Sequence, residues 1–211
     1  MSTDQISADV APPRRRLRPV LIGALVLGVL VAAGVVAWRL TAERTTPYDD
    51  AQSAGALTLC SADGEQITGG KVTDRPFAAY ALGETPVGEP YVPEGAVATL
   101  FGYQPREGVE ASEFSGSPIS RAAEYVDPER PATYVEEGAW SIADFVSAFP
   151  ADLDGYVQLR LYLGVPGVGT LTNEPYDTAD LRVDGDTWEL VRGGDASCAG
   201  AADLLPDSST S

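Results

Sequence analysis

Hydrophobic and polar positions alternate most strictly over residues 156–163 (YVQLRLYL). Val157, Leu159, Leu161 and Leu163 fall on one side, and Tyr156, Gln158, Arg160 and Tyr162 on the other. A repeat of two predicts a β-strand. Leu181-Arg182-Val183 and Thr187-Trp188-Glu189-Leu190 flank Asp184-Gly185-Asp186. A two-residue turn at Asp184-Gly185 predicts a hairpin with Leu181 opposite Trp188 and Arg182 opposite Thr187, because glycine takes a positive φ without strain. Residues 57–60, 77–82 and 96–103 are further predicted strands. Turn residues separate them: Asp63-Gly64, Gly69-Gly70, Pro86, Pro90 and Pro93.

Two stretches carry a repeat nearer 3.6. Ile119, Ala122, Ala123 and Val126 follow a capping Ser117 and a Pro118 at the first helical position, which predicts a helix ended by Asp127-Pro128. Over residues 141–149, Ser141 caps, Asp144 stands three residues on, and Ile142, Phe145, Val146 and Phe149 share one face. That pattern predicts a second helix. The run from Phe149 to Tyr156 (FPADLDGY), leading into an alternating strand, also resembles the tyrosine corner of immunoglobulin-like sandwiches. The resemblance covers some fifteen residues. It implies two packed antiparallel sheets, with residues 142–149 in a strand or short connecting turn, and it implies no function.

The apolar run 20–38, from Val20 to Trp38, is different in kind: it has no charge and no polar face. As a helix its 19 residues are about 28 Å long, one bilayer core. Pro19 suits the first turn, and Trp38 with Arg39 suits an interface. Arg14, Arg15, Arg16 and Arg18 precede the run, so the positive-inside rule places the N-terminus in the cytoplasm and the rest outside. A cleavable signal peptide is the alternative. The run is long for one, and its best cleavage site (Val35-Val36-Ala37) falls inside the apolar stretch. A lipoprotein fits worse: Leu57 stands where a small residue is needed before Cys60. A buried helix of a globular domain fits poorly, for want of a polar face.

The chain therefore divides into a cytoplasmic tail (1–18), a membrane helix (19–40), a polar juxtamembrane linker (41–55), a β-rich domain (56–198) and a disordered tail (199–211). Charge is partitioned as well. The whole chain carries −17, but from residue 45 on 8 basic and 28 acidic residues leave −20. Such self-repulsion works against compaction. The nine tyrosines and two of the tryptophans in that portion supply apolar area to oppose it.

Composition also limits the chemistry. With no histidine there is no Ser-His-Asp triad and no histidine metal ligand. Two cysteines cannot complete a four-thiolate zinc site, and Lys71 is the single lysine. No phosphate-loop or dinucleotide motif is present. Nothing calls for a cofactor, and an acidic chain repels nucleic acid. Cys60 and Cys198 bracket the domain. Outside the cytoplasm an isolated pair is normally oxidised, which predicts a structural disulfide. The loop it closes is worth about 5 kcal/mol in the chain-entropy model.

Other candidates compete with ordinary structural roles. Asp152-Leu153-Asp154-Gly155 is a fragment of a calcium loop, and Asp177, Asp180, Asp184 and Asp186 can gather at one end; but Asp and Gly also simply fill turns. Glu136 and Glu137 would be acids for glycan hydrolysis, although neighbours on a strand point apart. Tyr156 and Tyr162, beside Gln158 and Arg160, would form a platform for polysaccharide or protein, or would cover a neighbouring segment. The expectation is a mainly β, single-pass envelope protein held by its own helix at the plasma membrane. Its domain binds or scaffolds an envelope protein or polysaccharide. The rivals are a carboxylate-dependent cell-wall hydrolase and a calcium-stabilised adhesion-like module.

Overall fold

The computed structural model describes residues 45–88 and 94–206. The expected membrane helix, with Val20 and Trp38 at its ends, and the tail 1–18 lie outside the described residues. Among the described residues no helix is long and apolar enough to cross a membrane.

The domain is mainly β. Its strands are β1 (Ser53–Cys60), β2 (Gly69–Lys71), β3 (Tyr80–Gly83), β4 (Val97–Gln104), β5 (Ser115–Pro118), β6 (Ala123–Glu124), β7 (Ala132–Tyr134), β8 (Tyr156–Val165), β9 (Gly169–Thr170), β10 (Tyr176–Asp184) and β11 (Thr187–Arg192). Among the described residues one α-helix, α1 (Ile142–Ala148), lies between β7 and β8. The hydrogen-bonded path runs β5-β4-β8-β10-β1-β3-β7. β4, β8 and β10 pair antiparallel and form its centre.

β1 changes partner midway. Ser53 to Ala56 lie parallel to β10, and Leu57 to Cys60 lie antiparallel to β3, with a register shift between Ser53 and Gly55. β10 is shared in the same manner: residues from Tyr176 meet β1, and Asp180 to Asp184 meet β11. The sheet therefore bends at this seam, and the far strand β7 comes back beside β4 and β6. Ser120 joins the two ends. Its Oγ accepts from the Leu100 amide at 2.9 Å and lies 3.4 Å from Thr133 Oγ1.

The enclosed core contains Leu57, Leu59, Leu100, Val157, Leu159, Leu161, Ala179, Leu181 and Trp188, all buried. These are the inward positions of the alternating strands, as the repeat of two requires. α1 closes one side with Ile142 and Phe145. Its start is a capping box. The Asp144 amide donates to Ser141 Oγ at 3.2 Å, and the Ser141 amide donates to Asp144 Oδ2 at 2.7 Å. Gly102 on β4 lets the helix approach, because a β-carbon there would stand 2.7 Å from the Phe145 ring.

Several expectations need correcting. No helix forms around Ile119. Residues 115–118 and 123–124 pair with β4 as β5 and β6, and the Ile119 and Ser120 amides both donate to Leu100 O. An unpaired strand edge outweighs the weak helical preference of a short Ala-containing run. The β10–β11 turn sits one residue later than expected: Val183 faces Trp188 and Asp184 faces Thr187, so the turn residues are Gly185-Asp186. Gly185 has φ +56° and is the first of the two. Glycine is favoured there when only that residue needs a positive φ. The inward faces are unchanged, since the pair sum moves by two.

The tyrosine-corner resemblance is not realised. α1 occupies the residues it assigns to a strand or turn, and the Tyr156 hydroxyl donates to Thr45 O at 3.5 Å rather than returning to its own corner. Of the segments expected as linker and tail, residues 45–55 and 199–206 are described and are ordered parts of the fold. Residues 45–52 pack on the sheet, and β1 begins at Ser53. Beyond residue 199, Ala201–Leu204 forms a 3-10 turn whose Ala201 and Leu204 are buried against Cys60, Leu82, Ala132 and Cys198.

Candidate functional site

The outward side of the central strands is the most chemically varied part of the domain. The register places Phe101 and Tyr103 of β4 opposite Arg160 and Gln158 of β8. It places Thr178 and Asp180 of β10 opposite those same two residues, and Arg192 of β11 opposite Asp180. The alternation of β8 predicted a polar, exposed face here. The structure covers it. Tyr156, Gln158, Arg160 and Tyr162 are all buried, because residues 45–52 and the 3-10 turn Ala111–Glu113 lie across them.

Arg160 is the centre of this covered face and is 2% exposed. Its Nη2 lies 3.5 Å from Asp50 Oδ2, whose side chain is equally buried. Nη2 also donates to Ala111 O at 2.7 Å, Nε donates to Gln158 Oε1 at 2.6 Å, and Nη1 donates to the Tyr162 hydroxyl at 3.2 Å. The guanidinium lies 4.0 Å from the Tyr103 ring centre and 4.7 Å from that of Tyr176. A planar, weakly hydrated cation suits such stacking, where lysine would not.

Asp180 holds a second pairing on the same face. It accepts from Arg192 Nε at 2.6 Å and from the Tyr48 hydroxyl. Burial pushes the Asp180 carboxyl up from the ordinary carboxylate range, against the opposing pull of Arg192 and Tyr48. Burial, then the Asp180 charge, pushes the Tyr48 phenol far up. The Tyr176 phenol is also raised, first by burial and then by Asp50, with Arg160 opposing. These phenols therefore stay protonated at neutral pH. Tyr176 donates to both Asp50 oxygens, at 3.1 and 3.0 Å. Each acid of the face is thus held by a cation and a phenol. This arrangement suits holding a segment in place.

Other acids also serve as anchors. Asp177 accepts from the Glu84 and Thr85 amides at 2.7 and 2.8 Å and from the Thr85 hydroxyl. Glu84 Oε1 accepts from Thr58 Oγ1 at 2.8 Å and from the Asp195 and Ala196 amides at 2.7 and 3.0 Å. Asp177 lines an apolar cleft of about 180 Å³ beside Pro86, Leu163 and Leu171.

The structure does not gather the proposed calcium acids. Asp177 and Asp180 are buried and held separately, Asp152 and Asp154 lie in the turn before β8, Asp184 ends β10 and Asp186 lies in the hairpin turn. Among the described residues no group of three or more potential ligands is placed to hold a metal ion. Glu136 pairs with Arg121 at 3.3 Å, and Glu137 is exposed. Cys60 and Cys198 are bridged, with Cα atoms 5.5 Å apart across 138 residues of sequence. What sequence reasoning missed is the partner of the Arg160 face. Tyr48 and Asp50 lie in a polar stretch with no periodicity, and no local signal marks them.

Searches for relatives return nothing. No family model matches the chain, no curated protein matches it, and no solved structure matches it.

Proposed function

We propose that this chain is a single-pass envelope protein, anchored through residues 20–38 with its N-terminus in the cytoplasm, whose acidic β domain lies outside the plasma membrane and acts as a binding or scaffold module. The Cys60–Cys198 bridge carries this reading. A buried disulfide joining the first strand to the C-terminal segment fits an oxidising compartment, and the arginine cluster before the apolar run gives the same topology.

The partner is an envelope protein or a polysaccharide. The tyrosine platform expected from the sequence is occupied by the protein's own residues 45–52. Contact therefore falls to the acidic exterior, where Arg75, Arg121 and Arg130 are already paired with acids. A partner bearing cationic groups suits that surface.

The test uses the full chain in intact bacteria. Both thiols should resist a membrane-impermeant maleimide until a reductant is added, and external protease should degrade the domain while sparing an N-terminal tag. Thiols that react without reductant, or a domain that protease cannot reach, would overturn the assignment.

A further inference from the structure

Asp177 shares the inward positions of β10 with Ala179 and Leu181 and is 4% exposed. It lines the cleft walled by Pro86, Leu163 and Leu171. Two glycines make room for its carboxylate. A β-carbon on Gly55 would stand 2.7 Å from Oδ1, and one on Gly83 would stand 2.7 Å from Oδ2. Oδ2 accepts from the Glu84 and Thr85 amides, whereas Oδ1 accepts from the Thr85 hydroxyl alone. A carboxylate offers about four acceptor positions, so one on Oδ1 is left over. All three donors are neutral. Among the described residues no arginine or lysine pairs with Asp177, in contrast to Asp50 and Asp180. A buried charge is ordinarily paired or bound to a metal. Among the described residues no group of three potential ligands is placed to hold a metal ion.

We infer that the cleft at Asp177 is a binding site for a small organic ammonium ion, whose nitrogen donates to Asp177 Oδ1 while its apolar body lies against Pro86, Leu163 and Leu171. The inference stands apart from the anchored reading, since it needs neither the membrane segment nor the topology. Three properties of the cleft select this class. Its walls are mainly apolar, so an inorganic cation would leave them bare. The charged residues that line it among those described, Glu174 and Asp177, are both acids, so an anion is repelled. A neutral apolar molecule would leave the Asp177 charge unanswered. Size sets the limit on the body: an apolar cavity of about 150 Å³ accommodates benzene, and this cleft measures about 180 Å³. A few apolar walls with one placed polar group is the usual composition of a small-molecule site. The acidic domain around it also raises the local concentration of cations.

The experiment is a methyl NMR titration of the full chain in dodecyl maltoside micelles, labelled at leucine and valine methyls. The probes are benzylamine and benzyl alcohol, with the free concentration of each fixed by equilibrium dialysis. They share one apolar body and differ in charge. Millimolar benzylamine should shift the methyls of Val87, Leu163 and Leu171 saturably and leave those of Leu190 and Leu204, which do not line the cleft, in place. Benzyl alcohol should bind at least about tenfold more weakly, as the loss of a charge-assisted hydrogen bond requires. Asp177→Asn keeps the shape and one acceptor oxygen, and should weaken benzylamine to the level of the alcohol. Leu171→Trp should fill the cleft and abolish the shifts at Val87 and Leu163. Equal binding of the two probes, no shift at the cleft methyls, or full benzylamine affinity in folded Asp177→Asn would overturn the site. The comparison of probes on the unaltered chain decides the matter even where a variant fails to fold.

Discussion

Asp50 and Arg160, 110 positions apart in the sequence, form an ion pair whose side chains are 1% and 2% exposed. The pair fastens the segment that precedes the first strand to the middle of the sheet. Removing one partner of such a pair is expected to be far more costly than the pair's net contribution, because the other charge stays buried. Asp50→Ala should therefore cost about 3–5 kcal/mol. For a domain of this size that corresponds to a fall in Tm of roughly 6–20 °C. A thermal melt followed by near-ultraviolet circular dichroism checks it; a shift below a few degrees would mean that solvent reaches Arg160.

Tyr48→Phe removes one hydroxyl and leaves the ring in place. Asp180 then keeps Arg192 but loses its phenol donor while still buried. The expected loss is about 1–3 kcal/mol, read from chemical denaturation with an unchanged m-value. Arg192→Met should cost more, since it removes the cation.

Asp144 and Asp180 should respond to acid with opposite signs. The Ser141 hydroxyl and amide, with Arg75 adjacent, hold the exposed Asp144 carboxyl below its ordinary value. Its contribution is complete above the unfolded pKa near 4 and is lost as pH falls through the lower, folded value. Burial raises Asp180 instead, so its folded form binds the proton more readily than the unfolded chain does. On that account alone stability falls as pH rises from about 4 through the folded Asp180 value. Melts of Asp144→Asn between pH 2 and 5 should show a shallower acid loss than the parent protein; parallel curves would count against the capping role.

Reducing the Cys60–Cys198 bridge releases a loop worth about 5 kcal/mol in the chain-entropy model. The Glu84 contacts to residues 195 and 196 remain, so loosening should start with the turn at Ala201–Leu204. The variant with both cysteines replaced by serine should show faster hydrogen exchange over 198–205 before any global loss. Uniform exchange across the domain would contradict that order.

Gly155 has φ +82°, and a β-carbon there would stand 2.3 Å from Val183 O. Gly155→Ala must therefore shift backbone at the start of β8 as well as adopt an unfavourable φ. A loss of more than about 1 kcal/mol is expected, measured by denaturant midpoint.

Local regularities were legible in the chain wherever one residue pattern decides the outcome. The alternation Val157, Leu159, Leu161 gave β8 and its inward face, the Ser141–Asp144 pair gave α1, and the two cysteines gave the bridge. The turn lies at Gly185-Asp186, one residue past the expected position, because Asp184-Gly185 and Gly185-Asp186 carry nearly the same local signal. Ile119 misled for a different reason: its helical spacing rested on alanines, and β4 offered an edge that no local pattern reveals. The Arg160 face was half readable. Its tyrosines and arginine stood out, but the segment that buries them is polar, aperiodic and more than 100 positions away. Strand order lay wholly outside local reach, since it depends on pairings such as β1 with β10.

That last pairing has a consequence for how the protein is made. β1 is among the first parts of the domain to be synthesised, yet the strand it lies against in its first half is nearly the last. The seam can close only when residues 176–178 have emerged, and the C-terminal cysteine follows later still. Assembly from the leading end alone is barred, and contacts this distant along a chain form slowly. Under the proposed topology, nascent molecules would stay open and secretion-competent until translocation is almost finished. Maturation would then happen in one late event on the far side, with oxidation sealing it.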